Sequence, residues 1–259
     1  MKHLGSFLFG SMIMLLTYPV SLSAQDISGG IITYEQIIDY QLVGAYDDPR
    51  WDNYIADLPK KGKSVHQLSF TLSQSLYEED QSKKEVASEQ LKKAIMKANY
   101  YKAPKPKVKQ TFTDLNKKEL LEQVEFMTRS FLIEKGYESK AWKLTARKKK
   151  VLDYVCMGAE LEVGNETLTA WFSPQIPVSI GPGNYHGLPG IILGLEKNDE
   201  VFLLATKVDL ENPPEDLTSR VTKGRRLSQA DFDQIVEEKT KEFKETRAAE
   251  KKAVSKSKN

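Results

Sequence analysis

Beyond the first 24 residues the chain has two histidines, His66 and His186, and one cysteine, Cys156. These are the side chains best suited to nucleophilic or metal chemistry. A thiol beside an imidazole makes a nucleophile and base, so Cys156 with His186 is a candidate hydrolase pair. Cys156 closes the apolar run VLDYVC, however, and a thiol in such a run is more often a buried, inert core residue. Two histidines are too few for a His-rich zinc site. There is no H-E-x-x-H, no G-x-S-x-G and no phosphate-binding G-x-x-x-x-G-K-[ST]. The acidic runs Asp47-Asp48 and Glu78-Glu79-Asp80 lack a regular calcium-ligand spacing. No catalytic residue, metal or cofactor is expected.

His186 also belongs to the stretch GPGNYHGLPGIILGLE, residues 181–196. Proline fixes φ and glycine accepts positive φ, so Pro182-Gly183 and Pro189-Gly190 mark two tight turns. One reading is geometric: the loop bends the chain and feeds Ile191, Ile192, Leu193 and Leu195 into a buried strand. The other is a binding loop with Tyr185 and His186 at its tip, followed by Gly187, Leu188, Pro189 and Gly190. Trp171 and Phe172 could line the same site, although such aromatics more often fill a core.

The surrounding segments must position that loop. After Gly29-Gly30, IITYEQIIDYQL is rich in β-branched and aromatic residues and reads as a strand. Asp48-Pro49 starts a short helix near 50–58. Residues 65–77 alternate, with Leu68, Phe70 and Leu72 on one side, as in a half-buried strand. Ser82 and Glu85 form a capping-box signature, predicting an amphipathic helix over 82–98. Residues 99–110 read as a basic, proline-broken linker. Residues 116–134 leave helix and strand both open. From 140 onward, AWKLT, KKVLDYVC, ELEV, TLTAWF, IILGLE and VFLLATKV read as short strands with turns between them. Ser228 and Asp231 start a long charged helix over 229–254, whose last half is expected to project or fray.

The N-terminal segment has a basic start at Lys2, an apolar run from Leu4 to Leu16, and small residues at Ser21, Ser23 and Ala24. This is the pattern of a secretory signal peptide over 1–24, too short for a membrane span. No transmembrane span is expected after its cleavage. One cysteine permits no internal disulfide, so stability must come from an ordinary core. The formal net charge of +2 falls to +1 once Lys2 is removed, which gives no reason to expect nucleic acid as a partner.

The order of elements from Ser75 to Glu196 resembles the GLPGLI family of secreted Bacteroidota envelope proteins. The signature hexapeptide stands as Gly187-Leu188-Pro189-Gly190-Ile191-Ile192, with isoleucine at its fifth position. Ala170-Trp171-Phe172, Ile176-Pro177, Gly181-Pro182 and Cys156 with Ala159 look like further elements of the family, as do 131–134, 142–145 and 75–77. The resemblance covers about residues 30 to 208 and implies a secreted envelope protein of uncharacterised activity.

The sequence therefore predicts an α+β fold: a curved antiparallel β-sheet with a few helices and a long C-terminal helix. Its expected parts are a signal peptide (1–24), a sheet domain (25–227) and a charged helix and tail (228–259). The function expected is that of a secreted, non-enzymatic binding or accessory protein of the cell envelope. The periplasm is the favoured compartment and the cell exterior the alternative. Its partner would be an envelope membrane protein or an apolar ligand. The alternatives are a carrier of an apolar ligand or lipid, and a hydrolase using Cys156 and His186.

Overall fold

A computed structural model describes residues 27–198, 200–214, 217 and 223–256. The expected signal peptide lies outside the described residues. Among the described residues twelve strands form one sheet. The first half is a meander: Gly29–Asp39 (β1), Lys61–Thr71 (β2), Gln74–Glu79 (β3), Lys107–Asp114 (β4), Glu119–Phe126 (β5) and Arg129–Gly136 (β6). The chain then crosses to the far edge and meanders back through Lys143–Val151 (β7), Tyr154–Val163 (β8), Glu166–Ser173 (β9), Ile191–Lys197 (β10) and Glu200–Asp209 (β11). β11 pairs antiparallel with β1, which joins the two halves. Arg225–Ser228 (β12) pairs parallel with β6.

The fold is therefore β-dominant and its sheet is mixed, which corrects the expected α+β class with a purely antiparallel sheet. Among the described residues three α-helices accompany the sheet: Pro49–Ile55 (α1), Glu89–Ala98 (α2) and Gln229–Lys256 (α3). The physical reason lies in two segments. Residues 116–134 form the β5–β6 hairpin, because pairing on both sides outweighs an isolated capping signal. The 82–98 segment is helical only from Glu89. Ser88 supplies the cap, its hydroxyl accepting from the Leu91 amide at 3.2 Å, while Asp80 caps a separate 3-10 turn over Gln81–Lys83. The expected linker over 99–110 already contains the start of β4.

KKVLDYVC is not one strand. Val151 pairs with Tyr154, so Leu152 and Asp153 form a two-residue turn, with Leu152 at φ 52°. Cys156 thus lies near the start of β8.

The main core lies between the sheet and the segment joining β9 to β10. Ile176, Val178, Ile180 and Leu188 are each at most 2 % exposed and pack on Ile32, Tyr34, Leu68, Phe70 and Phe172. A satellite core joins Trp51 and Ile55 of α1 to Leu91, Ala94 and Ala98 of α2, and the Trp51 indole donates to the Leu42 carbonyl at 2.9 Å. Phe232 of α3 packs on Phe126 and Phe131 of the outer strands. The second half of α3 does not simply project. Arg247 stacks on the Tyr100 ring at 4.1 Å and donates to its hydroxyl at 2.8 Å.

Candidate functional site

The loop at 181–190 is held by backbone bonds on both sides. Ile191 N–H donates to the Ile176 carbonyl at 3.0 Å, and Ile192 N–H to the Ile180 carbonyl at 3.1 Å. The Tyr34 hydroxyl, fully buried on β1, donates to the Ile192 carbonyl at 2.6 Å. Ser179 Oγ donates to the Leu188 carbonyl at 2.8 Å. Gly187 sits at φ 95°, which favours glycine. A Cβ on Gly190 would collide with the Ser173 carbonyl. The geometric reading of the motif is thus realised: its glycines make the bend, and Leu188 and the isoleucines enter the core.

Tyr185 and His186 do not stand at an exposed tip. Gly187 and Pro189 are the exposed residues of the hexapeptide. Tyr185 is half-buried and lines a cavity of about 450 Å³. His186 is 4 % exposed and stacks on Tyr137 at 4.1 Å. It faces a different hollow, shared with Lys140, Asn184 and Gln229. Burial and the nearby Lys140 push its pKa down to about 4. Trp171 is buried on β9 beneath Arg147 and Lys149, both of which pair with Glu196. It lies in the core and not along the 450 Å³ cavity.

Cys156 is fully buried, and burial pushes its thiol up to about 11. A catalytic thiol needs the opposite shift. Its sulfur donates to the Tyr154 carbonyl at 3.9 Å.

The 450 Å³ cavity is the feature that sequence reasoning missed. Strands of both halves line it, which requires the sheet to curl around it: Gln36 on β1, His66 on β2, Tyr77 on β3, Lys109 and Thr111 on β4, Glu122 on β5 and Lys135 on β6. Leu195, Phe202 and Leu203 of β10 and β11 and residues 182–185 also line it, and it stays half open. Tyr77, Thr111 and Glu122 are successive cross-strand partners, so they project from one face. His66 stacks on Tyr77 at 5.2 Å. Its Nε2 lies 2.9 Å from Ser64 Oγ, while its Nδ1 is buried without a partner. That pair resembles a hydroxyl nucleophile and base, but no group orients the second ring nitrogen as a triad requires. Desolvation lowers the His66 pKa and keeps the ring neutral. The buried Glu122 carboxylate pairs with the partly exposed Lys135 at 2.7 Å, and Lys109 pairs with Glu125 at 2.9 Å. Thr111 is 1 % exposed, and its hydroxyl has no partner. The available signal was His66, a polar residue in the same alternating file as Leu68 and Phe70.

Among the described residues no cluster of His, Cys, Asp and Glu could hold a metal ion. Among them, too, no helix is long and apolar enough to cross a membrane.

A family model, Porph_ging, described as a protein of unknown function, matches residues 160–194. That span runs from β8 through β9 and the loop into β10. Two structures of PNGF-II, in space groups C2 and P21, share the fold. Each is 13 % identical over 82 % of this chain, with TM-scores of 0.52 and 0.51. The chain spans about one third of the length of those chains, 33 % and 34 %. At this identity the likeness shows the fold alone. No curated protein matches the sequence.

Proposed function

We propose that this protein is an exported, non-enzymatic binding protein of the cell envelope that holds an apolar or amphiphilic small molecule in the cavity of its curled sheet. One observation carries the reading: strands from both halves of the sheet, together with Tyr185 of the loop, line a half-open hollow of about 450 Å³. That is the size of a small-molecule site. Export is supported by the apolar run at Leu4–Leu16 followed by small residues, and by the resemblance to the GLPGLI family. The periplasm is the compartment this favours, to be checked by fractionating cells that express the full chain.

The binding test uses N-phenyl-1-naphthylamine, a neutral apolar fluorophore. Titration into the protein should give a saturable 1:1 enhancement, and Phe202→Lys, which places a charge in the cavity wall, should weaken it at least about tenfold. Absence of enhancement, or equal enhancement with the variant, would refute the cavity as the site. Release of the probe on mixing with a lipid extract of the cell envelope would identify the natural source.

A further inference from the structure

The cavity is chemically divided. Its polar end is formed by His66, Tyr77, Thr111, Glu122 and Lys135 on β2 to β6. Its apolar end is formed by Leu195, Phe202 and Leu203 on β10 and β11. Tyr185 and Phe202 also line a second hollow of about 320 Å³ bounded by Val163 and Leu168, so the two hollows adjoin across these side chains. A ligand filling both would have a compact polar head and an apolar tail.

The head's charge follows from the pairings. Lys135 already holds Glu122, and Lys109 already holds Glu125. An anionic head would have to pull Lys135 from Glu122 and strand a buried carboxylate. A cationic head would compete with Lys135 for the same carboxylate. The groups left without partners are neutral: the Thr111 hydroxyl, able to donate and accept, and His66 Nδ1. Both atoms are closed off from solvent, so a head group reaches them only after a local side-chain shift.

Resting on the cavity reading above, we propose that the ligand is an uncharged amphiphile. Its hydroxyl- or amide-bearing head meets Thr111, His66 and the Glu122–Lys135 pair, and its acyl or alkyl tail runs past Tyr185 and Phe202 toward Val163.

The test is calorimetric titration of the protein with three probes of equal chain length: 1-monodecanoylglycerol, sodium decanoate and decyltrimethylammonium, each below its aggregation threshold. The neutral glyceride should bind 1:1 at least about tenfold more tightly than either ion. Thr111→Val, which keeps the side-chain volume, should weaken the glyceride about fivefold and leave decanoate unchanged. His66→Leu serves as a second variant and should act in the same direction. Val163→Lys should weaken the ten-carbon glyceride but not its four-carbon analogue, which is too short to reach the second hollow.

Decanoate binding as tightly as the glyceride would overturn the neutral head while leaving the cavity reading intact. So would failure of all three probes in a protein that still binds the naphthylamine fluorophore. Failure of the fluorophore as well would overturn both.

Discussion

Protonation of His186 should destabilise the fold in a defined pH window. The ring is stacked on Tyr137 and nearly buried, and its pKa falls from 6.5 to about 4 through burial and the nearby Lys140. The groups around it are Lys140, Lys135 and Glu138, with Gln229 contributed by α3. In the unfolded chain the imidazole takes its proton near pH 6.5. The folded state resists until about pH 4. The stabilisation is complete above 6.5, falls as pH drops from 6.5 to 4, and levels off below. At 1.36 kcal/mol per pH unit the full difference is about 3 kcal/mol. The hollow facing the ring is open to solvent, and solvent screening reduces this to about 2 kcal/mol. His66 is also lowered and acts in the same window, so the contribution of His186 must be isolated by substitution. The lowered carboxylates Asp48, Asp80, Asp114 and Asp209 lose their stabilisation only as pH falls through values below 3.8, and Glu125 only below 4.5, at the acid end of the range. They act equally in the native protein and in a His186 variant, so the difference between the two isolates the imidazole. The assay is urea unfolding at half-unit steps from pH 7.5 to 4 on the native protein and on His186→Phe, which keeps the stacking on Tyr137. The native protein should lose about 2 kcal/mol more than the variant across this range. Parallel curves would refute the reasoning, because they would mean that His186 takes its proton in the folded state without cost.

Tyr34→Phe keeps the ring but strands the buried Ile192 carbonyl, so it should cost about 1–3 kcal/mol in chemical denaturation; a loss under about 0.5 kcal/mol would show that water replaces the hydroxyl. Gly190→Ala should cost about 2 kcal/mol or more, since its Cβ meets the Ser173 carbonyl at φ 158°, whereas Pro189→Ala at the exposed neighbouring position should cost under about 1 kcal/mol; equal effects would show that the hexapeptide is not held as described. Cys156 should react with a thiol reagent only after unfolding, and rapid labelling of the native protein would reopen the Cys–His hydrolase reading.

Local chemistry made several features legible in the sequence. Proline and glycine at 182–183 and 187–190 announced the bend. Asp48-Pro49 announced α1, and the Asp48 carboxylate accepts the Arg50 amide at 2.9 Å. Ser228 announced α3, its hydroxyl accepting from the Asp231 amide at 3.1 Å. Each of these signals acts within a few residues, so one stretch of chain contains its cause.

The rest depended on which strands became neighbours. Residues 116–134 could have been helix or strand until β4 and β6 paired on either side of β5. The parallel entry of β12 beside β6 joins residues about ninety positions apart, which no local pattern records. The cavity depends on the same long-range pairing. His66, Thr111, Glu122 and Lys135 look like ordinary strand polars along the chain, and Tyr185 like a loop tip. Only when the meander places β2 to β6 side by side, and the return through β7 to β11 brings Phe202 and the 182–185 segment across from them, do these side chains face one shared hollow. Alternation along a strand tells which residues share a face. Strand order and curvature decide whether that face meets solvent, core or ligand.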